Sequence, residues 1–264
     1  MRASLTFVLA GIALPAITQA PAKKILSHAD YDGWKSVSTA VLSRDGKYLA
    51  YVVSPQEGDG VLTVRRNADG ATLDVPRGSG LRFTADSKFL VATQAAPFLE
   101  ARQARRDKKP AAEQPKPGLA IVDLGKWSSE VLPKVSAWSL AEDDRSVLAY
   151  RPEPPKPEPP KKDDAKKDEA KKDDKAPKKK ADHKAGDPLV LRTLATKAET
   201  TIPDVASFAW SKDGGTLATA ISTKDGAGDG VVLRRAPAFA PADVVRGMGR
   251  YTKLALTNDG KGLA

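Results

Sequence analysis

Leu42-Ser43-Arg44-Asp45-Gly46-Lys47-Tyr48-Leu49-Ala50 is the stretch whose reading decides the fold. An Asp-centred turn lies between two apolar runs, with Leu four residues beyond the Asp. Gly accepts the positive φ of a tight turn, and an Asp side chain can bond the backbone just past it. The stretch therefore predicts a hairpin joining residues 37–42 to residues 48–53. The phrase returns four times: Phe83-Thr84-Ala85-Asp86-Ser87-Lys88-Phe89-Leu90-Val91, Asp144-Arg145-Ser146-Val147-Leu148-Ala149, Trp210-Ser211-Lys212-Asp213-Gly214-Gly215-Thr216-Leu217-Ala218 and Leu256-Thr257-Asn258-Asp259-Gly260-Lys261-Gly262-Leu263-Ala264. A repeat with a fixed internal offset sets the architecture before any other residue is considered.

Each unit reads as four short strands. The first predicts strands at 37–42, 48–53, 61–65 and 71–75, with Asp69-Gly70 as a second turn. The second predicts 81–84, 89–93, 119–124 and 130–132. The third predicts 135–140, 147–151, 189–194 and 199–202. The fourth predicts 206–211, 216–221 and 231–235, its last strand being weakly marked, and Asp225-Gly226 reads as a plain turn. The fifth contributes 251–256, the turn and then only Gly262-Leu263-Ala264. The Asp markers are 41, 58, 69 and 46 residues apart. Four strands per unit at such periods point to an all-β fold, a β-propeller of four four-stranded blades plus the start of a fifth, an incomplete ring. The alternative is a sandwich or barrel in which Asp-Gly hairpins recur without fixed offset.

The two long spacings come from insertions at one place, between the second and third strands. Residues 99–117 form a basic loop in which Glu100–Arg106 can make one or two helical turns before Pro110 ends them. Residues 151–187 are low complexity, Pro-rich at first and then built of Lys-Lys-Asp-Asp-Ala units. They lack the large apolar side chains needed to offset ordering entropy, so a solvated excursion is expected. Equivalent positions predict that both insertions project from one face of the ring.

The formal charge is +10. Residues 151–187 hold thirteen basic and ten acidic residues, and residues 99–117 hold six and three. Most of the excess thus sits in mixed-sign loops without interleaved aromatics, a poor counterion-release surface, and nucleic acid is not expected as a partner. Residues 1–20 read as a signal peptide: Arg2, the apolar run Leu5–Ile17, then Thr18-Gln19-Ala20. The run is short for a membrane span, so no membrane association is expected after cleavage. The chain has no Cys, which excludes a lipoprotein N-terminus and a disulfide framework. The expected compartment is periplasmic or extracellular, with residues 21–264 as the partial propeller.

Other chemistry-bearing residues read as structural. Asp143-Asp144 and Asp163-Asp164 lack a loop of oxygen donors at calcium-site spacing. Trp34, Trp127, Trp138 and Trp210 are candidates for a ligand-lining role. Trp138 and Trp210 occupy equivalent first strands, where packing between blades is expected.

Three segments carry a resemblance. Ala29-Asp30-Tyr31-Asp32-Gly33-Trp34-Lys35 running into residues 42–51 resembles the N-terminus of secreted bacterial prolyl oligopeptidase-family serine peptidases. So do the basic loop ahead of Gly118-Leu119-Ala120-Ile121-Val122-Asp123-Leu124 and the Lys/Asp-rich insertion running into Asp187-Pro188-Leu189-Val190-Leu191-Arg192. The resemblance implies a two-domain enzyme, a propeller that filters access to a C-terminal α/β-hydrolase domain bearing a Ser-Asp-His triad. This chain has no Gly-x-Ser-x-Gly elbow, and its histidines are His28 and His183 alone. A triad needs a rigidly held imidazole beside its nucleophile, which neither position offers. No adjacent Glu-Glu pair occurs, so a pair for the substrate amino terminus is not carried over. No catalytic, cofactor-binding or metal residue is assigned, and no cofactor is expected. The expectation is the substrate-gating propeller part of such a peptidase, inactive alone, partnered by peptide substrate or by the missing hydrolase domain. The alternative is a stand-alone periplasmic propeller that binds a protein or polysaccharide.

Overall fold

A computed structural model describes residues 27, 30, 31, 34–144, 146–153 and 184–264. The signal peptide at 1–20, His28, His183, Asp163-Asp164 and most of the 151–187 insertion lie outside the described residues.

The first blade is an antiparallel meander of β1 (Lys35–Leu42), β2 (Tyr48–Pro55), β3 (Val61–Arg66) and β4 (Thr72–Pro76). The second repeats it with β5 (Gly78–Phe83), β6 (Phe89–Gln94), β7 (Gly118–Asp123) and β8 (Ser128–Leu132). The third and fourth comprise β9 (Val135–Ser139), β10 (Val147–Pro152), β11 (Asp187–Thr193), β12 (Glu199–Trp210), β13 (Thr216–Ile221), β14 (Gly230–Arg235) and β15 (Ala240–Arg246). These seven strands are hydrogen-bonded in one order, β15-β14-β13-β12-β11-β10-β9.

That continuity corrects the expectation of separate strands at 199–202 and 206–211. β12 pairs with β11 up to Val205 and with β13 from Val205 onward, so one strand closes the third blade and opens the fourth. Only Pro203, Asp204 and Val205 lie between the two expected strands, and a bulge between Val205 and Ser207 turns the chain without breaking the ladder. The three junctions between the first and fourth blades use the same device. Arg77, Lys134 and Asp204 have φ of 60°, 56° and 54°, and their carbonyls accept the N–H of Ala95, Glu153 and Ser222, each at 2.8 Å. Left-handed backbone at a non-Gly residue costs about 1–2 kcal/mol. The carbonyl is thereby aimed at the residue that follows the next blade's second strand.

A second correction concerns residues 251–256. Only an isolated bridge, Leu256 with Leu263, forms there. A strand exists through its ladder partners, and residues 262–264 supply too few to extend the pairing. The turn itself is made: Gly260 has φ +66° and Gly260 N–H donates to Thr257 O at 2.9 Å.

The core consists of three layers between successive blades. Ala50, Val52, Leu62, Val64 and Val75 of the first blade meet Leu81, Phe83, Leu90 and Ala92 of the second. Phe89, Val91, Leu119 and Ile121 from the other face of the second meet Val135, Leu148, Tyr150 and Val190 of the third. Ala149, Leu189, Leu191 and Ile202 then meet Leu217, Phe208 and Trp210 of the fourth. Alternate residues of one strand serve opposite layers, as Leu90 and Phe89 do, because side chains alternate across a pleated strand. Four-stranded meanders stacked face to face in chain order are the blades of a β-propeller.

The Asp turns are locked by a hydroxyl two residues earlier. Ser43, Thr84, Ser211 and Thr257 donate to Oδ1 of Asp45, Asp86, Asp213 and Asp259 at 2.6–2.7 Å. The same hydroxyls accept the N–H of Tyr48, Phe89, Thr216 and Gly262 at 2.8–3.0 Å. The third copy has Glu142 in place of the hydroxyl and ties itself to its neighbour instead. Ala85 N–H donates to Asp144 Oδ2 at 2.8 Å, and Ser146 Oγ donates to Asp86 Oδ2 at 2.9 Å. Arg44 reaches the same turn, pairing with Asp143 at 2.7 Å. These turns occupy one face of the array.

The opposite strand ends carry the loops between second and third strands. After β6, α1 (Phe98–Arg106) forms where the helical turns were expected, and Phe98 N–H donates to Asp59 Oδ1 of the first blade's equivalent loop at 2.9 Å. Lys116 of this insertion pairs with Glu153, at the start of the next. Where they are described, both insertions thus leave from one face.

Candidate functional site

On that loop face a cavity of about 490 Å³ lies between the third and fourth blades. Three strand ends build it. β10 brings Arg151, β11 brings Asp187, and β12 brings Val205 and Ser207, with Ile221 from the end of β13 and Tyr251 beyond the fourth blade. Gly186 permits the closure: a Cβ there would lie 2.4 Å from the Asp204 carbonyl carbon and oxygen.

Arg151 is the chemical centre of this cavity. Its side chain is 18% exposed, and the guanidinium lies 5.7 Å over the Phe208 ring. Nη2 donates to the Ala206 carbonyl at 3.2 Å, and Nη1 reaches Asp187 Oδ2 only at 3.5 Å. Lys184 and Arg250 are exposed at the rim. Ser207 Oγ is buried with no hydrogen-bond partner among the described residues, and Tyr251 OH donates to Gly247 O at 3.0 Å. Among the described residues the lining combines three cations, one carboxylate and the apolar surface of Ile221.

A second arginine shows the contrasting case. Arg192 on β11 is 5% exposed at the seam between the second and third blades. Its Nη2 donates to both carboxylate oxygens of Glu130 at 2.9 Å, and Nη1 donates to Glu199 Oε1 at 2.8 Å. Tyr150 OH donates to the same Glu199 oxygen at 3.0 Å, and Lys197 pairs with Glu130 at 2.7 Å. Burial pushes the Tyr150 pKa up to about 12, with the Glu199 bond adding to it. The hydrogen bond from Lys197, then that from Arg192, holds Glu130 below its ordinary value. Burial opposes the Arg192 charge, but the two glutamates outweigh it and its pKa is raised. This network fastens two blades together.

The residues singled out from sequence fall elsewhere. Trp138 packs between the second and third blades with Nε1–H bonded to Thr93 Oγ1 at 2.8 Å, and Trp210 packs between the third and fourth against Phe239. Trp127 lies under Arg66, and Trp34 is 52% exposed beside Tyr31. Asp143 and Asp144 serve the turn described above. Among the described residues no group of three or more His, Cys, Asp or Glu is placed to hold a metal, and no helix is long and apolar enough to cross a membrane. The sequence reading passed over Arg151 and Arg192. Their signal was a charged residue inside or ending an apolar strand, Val147-Leu148-Ala149-Tyr150-Arg151 and Leu189-Val190-Leu191-Arg192.

No protein-family model matches the chain, and no curated protein matches it. Among solved structures it is similar to a prolyl endopeptidase, with 15% identity and TM-score 0.46 over 84% of this chain and 31% of that one. It is similar to the β-propeller domain of the Trilobed protease from Pyrococcus furiosus, with 10% identity and TM-score 0.40 over 81% of this chain and 58% of that one. A eukaryotic initiation factor matches at 16% identity and TM-score 0.47, over 87% of this chain and 49% of that one. The chain spans about a third of the prolyl endopeptidase chain. These are likenesses of fold alone, and the propeller stands on its own blade order and packing.

Proposed function

We propose that this chain is the N-terminal, substrate-gating propeller part of a secreted prolyl oligopeptidase-like serine peptidase, with catalysis carried by an α/β-hydrolase domain outside the residues considered. The observation that carries this reading is the order of the three resembling segments. Residues 42–51 fall on the β1–β2 hairpin, residues 118–124 on β7 and just past it, and residues 187–192 on β11, so each occupies a strand position in successive blades. The leader pattern of residues 1–20 supports secretion, and peptide substrate is the proposed partner. The test is the reading frame beyond Ala264 and the product it encodes. A hydrolase domain with an elbow Ser, hydrolysis of a chromogenic prolyl peptide by the longer product, and none by residues 21–264 are expected. A downstream frame without such a domain refutes the role.

The cavity at Arg151 favours a second reading, a periplasmic propeller that acts as a binding module for a protein or polysaccharide. Affinity capture by residues 21–264 of one defined partner, in a chain with no encoded hydrolase domain, would favour it over the first.

A further inference from the structure

We infer that the cavity between the third and fourth blades is a binding site for a carboxylate carried by a short peptide, with Arg151 as its anchor. The two arginines described above set the contrast. Arg192 is engaged through both terminal nitrogens: three bonds at 2.8–2.9 Å tie Nη1 and Nη2 to two glutamates, and Nε alone has no partner among the described residues. The Arg151 side chain is more open to solvent, at 18% against 6%, and among the described residues its bonds are one carbonyl at 3.2 Å and one carboxylate oxygen at 3.5 Å. A guanidinium has five N–H donors in a planar fork that matches a carboxylate bidentately. Asp187 does not use that fork, and its own side chain is 45% exposed. The Phe208 ring 5.7 Å beneath the guanidinium is a cation–π contact that helps hold Arg151 in the cavity wall where a carboxylate would meet it.

The surroundings suit the same ligand. Among the described residues, Lys184 and Arg250 at the rim leave the lining net positive, which favours an anion and raises its rate of arrival. Ile221 and the Tyr251 ring give apolar surface beside the cation, and Ser207, whose buried Oγ has no hydrogen-bond partner among the described residues, belongs to the same wall. At about 490 Å³ the cavity falls within the range of small-ligand sites, about 300–1,000 Å³. The anion site stands on this geometry; the choice of a peptide as carrier rests on the proposed peptidase role. The carboxylate can come from a peptide C-terminus or from an Asp or Glu side chain.

Titration calorimetry on the full chain separates these sources with four probes: N-acetyl-trialanine as the free acid, the same peptide as its amide, N-acetyl-Ala-Asp-Ala amide, and galacturonic acid. Binding by the free acid, the Asp peptide or both is expected, with the neutral amide at least about tenfold weaker. Arg151→Gln is expected to weaken the acidic probes about 10- to 100-fold, the scale of a lost charge-assisted fork. Arg151→Lys, which keeps the charge without the fork, is expected to fall between. The double variant K184A/R250A alters exposed rim residues only, and is expected to weaken binding several-fold with an unchanged Tm. It keeps the test decisive if Arg151 variants fold poorly. Absence of binding, equal binding of the neutral amide, or unchanged binding by a folded Arg151→Gln variant overturns the site. Galacturonic acid binding as tightly as the peptides overturns the peptide assignment. A downstream frame without a hydrolase domain, in a chain that binds the acidic peptides, refutes the peptidase role and leaves the site standing.

Discussion

Replacing Arg192 with Met tests how the second and third blades are held together. Arg192 makes three charge-assisted bonds to Glu130 and Glu199 at 2.8–2.9 Å while itself only 5% exposed. Such bonds contribute about 1.5–3 kcal/mol each when considered singly. Simple addition overstates the loss, because the Glu130 and Glu199 side chains are 36% and 39% exposed and can rehydrate once Arg192 is gone. Lys197 also remains on Glu130. The expected cost of Arg192→Met is therefore about 3 kcal/mol, the lower end of what breaking a buried pair costs. That is a large share of a typical stability of about 5–15 kcal/mol. Urea unfolding followed by tryptophan fluorescence measures it, since Trp138 packs in the same layer. A double-mutant cycle with Glu130→Gln isolates the pair, with an expected coupling of about 1.5 kcal/mol. A cost below about 1 kcal/mol for Arg192→Met, with coupling below about 0.5 kcal/mol, refutes the reasoning.

Three further outcomes follow from the same structure. Asp86→Ala removes acceptors from Thr84 Oγ1, Lys88 N–H and Ser146 Oγ, so it is expected to cost about 1–2 kcal/mol in urea unfolding, as loss of a capping side chain does. Lys134→Gly relieves a left-handed backbone at an exposed junction, and is expected to raise stability by about 0.5–1 kcal/mol, seen as a higher Tm. Tyr150 has its pKa raised when folded, so the unfolded chain gives up its proton first. That stability is present in full below about pH 10 and is lost as pH rises from there to about 12. Tyr150→Phe should flatten the alkaline limb of a stability-versus-pH curve, and an unchanged slope would show that another group causes it.

The Asp turns were legible because their chemistry is local. Asp45, Gly46 and the alternating residues of β1 and β2 lie within a few positions of one another, so the hairpin could be read from neighbouring residues. The hydroxyl at Ser43, Thr84, Ser211 and Thr257 was equally local, yet went unread; its place two residues before each Asp is visible in the chain. The blade junctions were harder. Left-handed backbone at Arg77, Lys134 and Asp204 has no Gly or Asn-Gly signature, because it is imposed by the carbonyl's bond to the next blade and not by residue preference. The merging of 199–202 with 206–211 has the same origin, two neighbouring blades pairing with one strand. Arg192 and Glu130 lie 62 positions apart, and the Arg151 cavity draws on strand ends brought together only by stacking.

By itself, the sequence determined the repeat, the four-stranded blade, the position of both insertions within their blades and the turn chemistry, since each depends on contacts between near neighbours. Only the tertiary structure decided which charged strand residue is clamped between two glutamates and which, among the described residues, makes only long bonds. Arg151 and Arg192 look alike in the chain, each closing an apolar run. Their difference arises from the neighbouring blades: Glu130 of the second blade meets Arg192, whereas the Ala206 carbonyl of the fourth meets Arg151.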